Sequence, residues 1–421
     1  MIIVGAGFSG LSTADALREK GLSVIVLEAR ERVGGRVEAM AFTDGTRIDT
    51  GGQFICNEMP SVVALVRQLG LGLVETHVDG DFLIEPTDSS HAGSRAGSQR
   101  LRARARAIVP DNPQIAGMTA AAWLARQPDD TAAKIAFQST VEGLWCRSVQ
   151  EVPLWYVVSN DRRSDANGNE LQYFPSGTMH GVAEAFAATL GDRVRLGEPV
   201  EAVICDDEGV IVVTDTGARY RGRQVVLSVP PVAAGRIAQH PPLPEPLSTA
   251  LGVWKSGMVI KVILRFARPF WRDRGLSGMV MWRDVTGLFA CDTSRDDVAA
   301  LVIFAGGPLA LDWSEKGAVF IEEDIRRRLV EAFGHEAAEN TDFILRDWVN
   351  DRWSGGGYSD VITDLAAYTA EDILRAGAPP IHFACSELSS SFPAYVEGAI
   401  VAGREVAERV IATIGEIDLD R

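Results

Sequence analysis

The N-terminal sequence MIIVGAGFSGLSTADALREKGLSVIVLE constrains the fold more than any other part of the chain. A short apolar run is followed by a glycine-rich turn, an apolar stripe at helical spacing and a second apolar run that ends in Glu28. The order strand, glycine turn, helix, strand and acid predicts a parallel β-α-β unit that binds a dinucleotide. The glycines of the G-x-G-x-x-G turn are Gly5, Gly7 and Gly10.

Each part of this unit has a physical role in binding. The glycines permit a tight turn, a close approach of backbone to a pyrophosphate, and close packing of the helix on the strand. The pyrophosphate is expected at the helix N-terminus, where free N–H groups and the helix dipole favour an anion. Glu28 is expected to accept hydrogen bonds from the ribose hydroxyls.

The composition is that of a globular protein and limits its partners. The chain has 421 residues, of which 46% are hydrophobic and 23% are charged, so we expect two or three domains. A formal net charge of −16 argues against nucleic acid as a partner. The five cysteines and six histidines are scattered and predict neither a metal site nor a disulfide framework. With no apolar run long enough to span a bilayer, we expect a soluble cytoplasmic protein without a membrane anchor.

An arginine-rich segment opposes this acidic balance. SRAGSQRLRARARA carries arginines over residues 95–106. One interpretation is an exposed loop or helix face whose arginines pair with nearby acids, and the other is an anion-binding surface. The sequence leaves both open.

The residues after the first unit resemble those of the flavin-containing amine oxidases, the family of monoamine and polyamine oxidases. The resemblance rests on LEARERVGGRVEAMAFTDGTRIDTGGQF and implies FAD rather than NAD. It places Glu28 and Arg30 at the adenosine end, and Gly35 and Arg36 along the diphosphate. It also places one turn near the isoalloxazine ring, formed by Gly51, Gly52, Gln53 and Phe54.

The resemblance covers nearly the whole chain and implies its fold class and domains. We expect an α/β protein with a Rossmann-type FAD-binding domain of the glutathione reductase type and an interleaved α+β substrate domain. The FAD-binding domain is expected over 1–75, 175–250 and 353–421, and the substrate domain over 76–174 and 251–352. Alternating residues in 194–231 predict a β-meander that returns to the nucleotide domain. In it, Val200 either contacts the adenine, as the resemblance implies, or packs as a core strand residue.

Lys261 is the most unusual side chain of the C-terminal half, because it interrupts the apolar run VIKVILRF. A buried ammonium is costly unless it is paired or has a function. The resemblance implies a lysine bridged through water to the reactive flavin nitrogen. The alternative is an alternating strand with Lys261 on its solvent face.

Two further blocks resemble the same family. DWVNDRWSGGGYS, with Trp348 and Tyr358, is implied to lie beside the flavin, and Gly357 stands where mitochondrial members carry the cysteine that tethers FAD. FAD is therefore expected to bind non-covalently. In the last block, Tyr395 is implied to complete an aromatic cage with Tyr358. The other residues implied there are the ribityl-side acid Glu387 and, at the start of a helix facing the pyrimidine end of the ring, Gly398 and Ala399.

The resemblance implies FAD-dependent oxidation of a small-molecule amine to an imine, with Lys261, Tyr358 and Tyr395 as the catalytic residues. Hydrolysis then gives an aldehyde or ketone, and dioxygen is the expected electron acceptor, yielding hydrogen peroxide. Two other classes stay open on this scaffold: a flavin-dependent carbon–carbon desaturase or protoporphyrinogen-type oxidase, and a non-catalytic FAD-fold protein. The identity of the amine and assembly as a homodimer are open as well.

Overall fold

The N-terminal unit forms the centre of a parallel sheet, as the sequence predicted. The computed structural model describes residues 1–87, 93–164 and 170–419, with side chains described as far as residue 414. Within these residues, Ile3 lies between Val26 and Val226 in the ladder. Short apolar strands with both faces covered are typical of parallel sheets. In spatial order, the strands are β21 (Ile381–Phe383), β12 (Val225–Leu227), β1 (Ile2–Val4), β2 (Ile25–Leu27) and β8 (Val194–Arg195).

Helices pack against this sheet through an apolar core. Leu11 and Leu17 of the first helix are fully buried, together with Val406 and Val410 of the last. The two helices are in direct contact, and the hydroxyl of Thr13 donates to a backbone carbonyl of the last helix. The helices around this sheet are α1 (Phe8–Glu19), α2 (Pro60–Gln68), α7 (Met179–Leu190), α13 (Ala370–Ala376) and α14 (Val396–Leu419).

The predicted meander is present and leads back into the parallel sheet at β12. Its strands are antiparallel, and the strand Gly209–Thr214 alternates between half-buried and buried side chains, which explains the alternation in the sequence. A further strand pairs with it in parallel. The four strands, in spatial order, are β11 (Arg219–Gly222), β10 (Gly209–Thr214), β9 (Val200–Asp206) and β13 (Ala238–His240).

A second sheet has six strands and is mostly antiparallel. Its strand β15 (Val259–Phe266) is buried on both faces apart from Arg265, which is half-buried. The register aligns Lys261 with Phe304, Phe304 with Phe289, and Phe289 with Met281. The other strands, in spatial order around β15, are β19 (Asp342–Asp347), β18 (Ala299–Gly306), β17 (Leu288–Asp292), β16 (Leu276–Trp282) and β6 (Asp81–Glu85).

The remaining elements connect these layers. Apolar spacing in the sequence predicts helices in MTAAAWLARQ, TAAKIAFQSTVEGLWCRSVQEV and GVAEAFAATLG. The structure has helices α4 (Ala120–Ala125), α5 (Thr131–Trp145) and α7 in these segments, but α5 ends at Trp145, so CRSVQEV does not continue it. Helix α5 begins after Asp130, whose carboxylate accepts from the N–H of Ala133 at 2.7 Å. The other helices are α3 (Ser94–Arg106), α6 (Leu154–Arg163), α8 (Pro231–Ala234), α9 (Glu245–Gly252), α10 (Phe270–Asp273), α11 (Pro308–Lys316) and α12 (Ala318–Phe333). Three two-stranded pairs complete the fold: β3 (Ala39–Ala41) with β4 (Arg47–Asp49), β5 (Leu73–Glu75) with β7 (Tyr173–Pro175), and β14 (Trp254–Ser256) with β20 (Asp360–Ile362).

Two strand pairs join the ranges expected for FAD binding to those expected for substrate binding. The parallel sheet and the meander lie in the first set of ranges, and the second sheet lies in the other. The pairs β14–β20 and β5–β7 connect the two sets. Among the described residues, we find no helix whose length and apolar character would let it cross a bilayer.

Candidate active site

A cavity of about 1090 Å³ runs between the two large sheets. Its wall includes Gly7 and Glu28, which define what we call its first end, and also Lys261, Tyr358 and Tyr395. Cofactor and ligand pockets commonly have volumes of roughly 300–1,000 Å³. The cavity can therefore hold a large cofactor together with a small molecule.

The glycine turn forms the wall of the cavity at its first end. Gly5 and Gly7 line it, whereas Gly10 does not, because a Cβ at Gly10 would lie 1.9 Å from the carbonyl oxygen of Gly5. Gly10 is thus required for close packing of α1 on the turn. A Cβ at Gly7 would come no nearer than 4.0 Å to a described atom, the oxygen of Gly34, so it would enter the cavity. The N-terminus of α1 opens there without a side-chain cap, an arrangement that suits a diphosphate.

Glu28 and Val200 line the same end of the cavity. Glu28 is 5% exposed, and its two carboxylate oxygens accept from the N–H groups of Ala6 at 2.7 Å and Arg30 at 3.0 Å. Burial raises the pKa of Glu28, and these hydrogen bonds act in the opposite direction. The hydroxyl of Ser228, also in the cavity wall, is buried and has no hydrogen-bond partner among the described residues. These groups fit a ribose and its neighbouring phosphate.

Arg30 lines the cavity, but its guanidinium is held by a partner that the sequence analysis missed. It donates to both oxygens of Asp351, at 2.6 and 3.1 Å, and Arg346 donates to the same carboxylate at 2.7 Å. Although burial opposes it, these hydrogen bonds hold the pKa of Asp351 well below its usual range. The Arg346 guanidinium also stacks 4.0 Å above the ring of Trp348, which lines the cavity.

Arg36 and Glu387 form a buried ion pair beside the middle of the cavity. Arg36 donates to the two oxygens of Glu387 at 2.5 and 3.0 Å and to the carbonyl of Tyr358 at 2.9 Å. Although burial opposes ionisation, the charge of Arg36 lowers the pKa of Glu387. Arg36 and Gly35 line the cavity, but Glu387 does not. Glu387 therefore positions Arg36 from behind the wall.

Lys261 is buried, which excludes the solvent-face alternative. It is 1% exposed, and its ammonium donates to the carbonyl of Gly51 and to Oε1 of Gln53, both at 2.9 Å. It lies 5.4 Å from the centre of the Phe304 ring. Burial lowers the pKa of Lys261 to about 8, and the nearby Asp49 carboxylate acts in the opposite direction. The turn predicted near the flavin thus holds Lys261 in the wall of the cavity, which is also lined by Gly51, Gly52, Gln53 and Phe54.

The two tyrosines line the cavity from different elements. The ring of Tyr358 packs edge-on against Phe304 with centroids 6.1 Å apart, and Tyr395 packs in the same manner on Phe392 at 5.8 Å. The Tyr395 hydroxyl donates to Oε2 of Glu170 at 2.5 Å. Gly357, immediately before Tyr358, also lines the cavity and offers no thiol.

The start of α14 reaches the cavity with some of its predicted residues. Val396 and Ala399 line it, whereas Gly398 does not. A Cβ at Gly398 would lie 2.1 Å from the carbonyl oxygen of Phe392, so this glycine allows the preceding loop to pack on the helix. Phe392 and Ala394 have left-handed backbone conformations, with φ of 47° and 73°, which are uncommon for such residues.

The arginine-rich segment forms helix α3. Some of its arginines pair with acids and some line the cavity, so both interpretations of the segment stay open. Arg104 pairs with Asp129, as an exposed and compensated face would. Arg95, Arg102 and Arg106 recur on another face and line the cavity. The sequence signal for this division was the helical spacing of the three arginines. The resemblance implies that the segment 76–190 caps the substrate cavity, which makes its large aromatic residues either cavity or core residues. Trp145 lines the cavity, and the other four are core residues: Trp123, Trp155, Tyr156 and Phe174.

Comparisons with known proteins agree with one another. Residues 8–411 match the model of a family described as flavin containing amine oxidoreductase. The L-amino acid dehydrogenase of Synechocystis sp. is 26% identical, with 98% of this chain and 95% of that protein covered. The flavin-containing amine oxidase B of Bos taurus is 27% identical, with 100% and 87% covered.

Solved structures give the same result. The cyclohexylamine oxidase of Brevibacterium oxydans superimposes with a TM-score of 0.90 at 26% identity, covering 98% of this chain and 99% of that one. A putrescine oxidase with bound putrescine superimposes with a TM-score of 0.89 at 28% identity, covering 98% of each chain.

Proposed function

We propose that this chain, a member of the flavin-containing amine oxidoreductase family, oxidises a small amine to an imine and passes the electrons to dioxygen. The family establishes FAD as the cofactor and an amine as the class of substrate. In the proposed reaction the amine loses two electrons and two protons. Dioxygen takes them up to give hydrogen peroxide. Water then hydrolyses the imine to an aldehyde or ketone and releases its nitrogen as ammonia or, from a secondary amine, as a smaller amine.

One observation carries this proposal. A single cavity is lined by the glycine turn at Gly7, by the two tyrosines and by the buried Lys261. FAD, when bound, supplies a hydride acceptor for the carbon beside the amine nitrogen. The residues that would hold it are Gly5, Gly7, Glu28, Arg30, Gly35, Arg36, Val200, Trp348 and Ala399, all of which line the cavity.

Tyr358 and Tyr395 would orient the amine. Aromatic faces attract a nitrogen substituent that carries partial positive charge, and two such faces restrict its approach. Each ring is held by a neighbouring phenylalanine, and Tyr395 is held also by its hydrogen bond to Glu170. The rings would also exclude water from the reacting carbon.

Lys261 would supply positive charge where negative charge develops during reduction of dioxygen. The side chain is fixed by Gly51 and Gln53, so the charge is oriented before the reaction begins. Because burial lowers the pKa of Lys261 to about 8, part of the population is neutral at mildly alkaline pH.

A panel of amines tests the function. Anaerobic mixing of the FAD-loaded enzyme with the correct amine should bleach the flavin absorbance, and admission of air should restore it with release of one peroxide per cycle. A protein that dithionite bleaches, but that no amine of a broad panel does, would contradict amine oxidation. Return of colour with a quinone but not with air would contradict the choice of dioxygen as acceptor, a separate question because one relative is named as a dehydrogenase.

We further propose that FAD binds without a covalent bond, because Gly357 stands where a tethering thiol would be needed. Acid precipitation of the holoenzyme should release the yellow colour to the supernatant, as measured by its absorbance. Flavin retained in the washed pellet would contradict non-covalent binding.

The division into an FAD-binding domain (1–75, 175–250 and 353–421) and a substrate domain (76–174 and 251–352) is part of this proposal. The separation of the large sheets supports it. Assembly as a homodimer and location in the cytoplasm stay predictions, and sedimentation analysis would test the first.

A further inference from the structure

The cavity wall also contains a buried arginine that the proposed reaction does not use. Arg283 follows strand β16, lines the cavity and is 4% exposed. Its Nη2 group donates to Sδ of Met281 at 3.3 Å, and its Nη1 group contacts the carbonyl of the adjacent Trp282 at 3.4 Å. Its Nε group is buried without a hydrogen-bond partner among the described residues. None of these partners is an anion.

A buried guanidinium without a carboxylate is costly unless a ligand supplies the missing charge. Burial lowers the pKa of Arg283, and within residues 1–87, 93–164 and 170–419 no acid acts in the opposite direction. Two of the acids that line the cavity have other partners. Glu170 accepts from Tyr395, and Asp161 lies 3.8 Å from Arg102.

The cationic character extends towards the cavity wall formed by α3. Arg95 stacks 4.7 Å above the ring of Phe82, and both residues line the cavity. Arg102, which lies 3.8 Å from Asp161, also lines the cavity. The charge of Arg95 adds to that of Arg283 in attracting an anion despite the acidic net charge of the chain.

The sheet register gives the separation between Arg283 and the reacting end. Phe304 marks that end, because it contacts both Lys261 and Tyr358. Phe304 is in register with Phe289, and Phe289 is in register with Met281, which the Arg283 guanidinium contacts. Two strand spacings amount to about 10 Å. The Phe304 and Phe289 rings are stacked between these points with centroids 6.4 Å apart, so the intervening surface is apolar.

We propose that Arg283 binds an anionic group, such as a carboxylate, at the far end of the amine substrate. The inference rests on the proposed function and narrows the substrate class. The substrate would carry its amine at one end, an apolar chain in the middle and the anion about 10 Å away. An α-amino acid does not fit, because its carboxylate lies one carbon from the nitrogen and would not reach Arg283.

Anaerobic stopped-flow reduction with three matched amines tests this class. For the parent holoenzyme, the ratio of the reduction rate constant to the substrate Kd should be at least about tenfold higher for 8-aminooctanoate than for octylamine or 2-aminooctanoate, a preference worth about 1.4 kcal/mol. Arg283→Met should bring the ratio of 8-aminooctanoate to octylamine close to one, and Arg283→Lys should retain part of the preference. Arg268→Met, an exposed arginine paired with Asp273 and Glu336 outside the cavity, should keep the parental ratio. Octylamine or 2-aminooctanoate as the preferred substrate, or an unchanged ratio in Arg283→Met, would overturn the proposal.

Binding of an unreactive anion separates this inference from the proposed function. Calorimetry should show that the parent holoenzyme binds octanoate at least about tenfold more tightly than the neutral octanamide, and that Arg283→Met loses this difference. Equal binding of the two ligands to the parent would overturn the anion site even if amines are oxidised. Failure of every amine to reduce the enzyme, with octanoate binding retained, would instead contradict amine oxidation and leave the anion site in place.

The thermal stability of Arg283→Met gives a further check. Because the substitution removes an uncompensated buried charge, the Tm of the variant should equal or exceed that of the parent. A large drop in Tm with normal octanoate binding would indicate that Arg283 has a purely structural role.

Discussion

Among single side chains, Lys261 gives the sharpest prediction of pH dependence. Its pKa is lowered to about 8 by burial, so the ammonium is lost as pH rises through that value. If the charge assists reduction of dioxygen, the rate of reoxidation should fall as pH rises through about 8. Lys261→Met should be roughly tenfold or more slower at pH 7 and should lack this transition. Stopped-flow reoxidation between pH 6 and 10 measures both effects.

The matched control for Lys261 is Lys316→Met, because Lys316 is exposed and pairs with Asp312 away from the cavity. It should reoxidise as the parent does. Parental rates in Lys261→Met at every pH would show that the buried ammonium has only a structural role.

Substitution by Phe should affect flavin reduction differently at the two tyrosines, because the hydroxyl of Tyr395 donates a hydrogen bond to Glu170. Replacing either by Ala removes an aromatic face, an interaction of roughly 0.5–2 kcal/mol, and also loses orientation. We expect the efficiency of anaerobic reduction to fall at least about tenfold, since a factor of ten corresponds to about 1.4 kcal/mol. Tyr358→Phe should stay close to the parent. Tyr395→Phe should be intermediate, because Glu170 would lose its hydrogen-bond donor.

The measurement for the tyrosine variants is the rate of flavin bleaching with the best amine found, with the flavin spectrum as a check on cofactor binding. Parental rates in both Ala variants would remove the cage from the mechanism. A Tyr395→Phe variant as slow as Tyr395→Ala would assign the effect to the hydroxyl rather than to the ring.

Within the first β-α-β unit, two glycines allow packing and cofactor binding to be separated. Gly10→Ala places a Cβ 1.9 Å from the oxygen of Gly5, so we expect a loss of about 1–3 kcal/mol or more in the free energy of unfolding. Gly7→Ala meets open cavity space and has an extended backbone that alanine can adopt, so its loss should be below about 1 kcal/mol.

Gly7→Ala should nevertheless bind FAD poorly, because the added methyl group occupies the wall of the cofactor site. Urea unfolding of the apoproteins and FAD titration by fluorescence quenching measure the two effects. Normal FAD affinity in Gly7→Ala would place the diphosphate elsewhere, and unchanged stability in Gly10→Ala would mean that the turn adapts.

Across the whole molecule, Asp351 connects the two large layers. It binds Arg30, which follows strand β2 of the parallel sheet, and Arg346 of strand β19 in the second sheet. Loss of one member of a buried ion pair typically costs about 3–5 kcal/mol. We expect Asp351→Asn to lower the free energy of unfolding by about this amount at pH 7 and to weaken FAD binding.

The pH dependence of stability gives an independent test of Asp351. Its pKa is held below the ordinary value of 3.8, so its contribution is complete above that value and is lost as pH falls below it. The parent should therefore lose more stability than Asp351→Asn when urea unfolding is compared at pH 7 and pH 3. Equal losses in the two proteins would contradict an ion pair of this strength.

Features that depend on local order along the chain were predicted from the sequence. The first β-α-β unit, the meander and helices α4, α5 and α7 follow from periodicity and turn residues, which act over a few neighbouring positions. Lys261 was recognised as unusual for a similar reason, since its immediate neighbours are apolar. Resemblance to a family extended these predictions to the cofactor and the class of reaction, in agreement with the family match over residues 8–411.

Features that depend on distant partners needed the folded chain. Arg36 meets Glu387 across 351 positions, and Arg30 meets Asp351 across 321, so no local pattern connects them. Arg283 is a further example. In the sequence it is an ordinary charged residue after a strand, and only the folded sheet shows that it lies in the cavity wall without an anionic partner among the described residues. The charge state and function of a side chain depend on which groups surround it and how well water reaches it. Local order along the chain selects the elements, whereas these surroundings arise only when the elements pack.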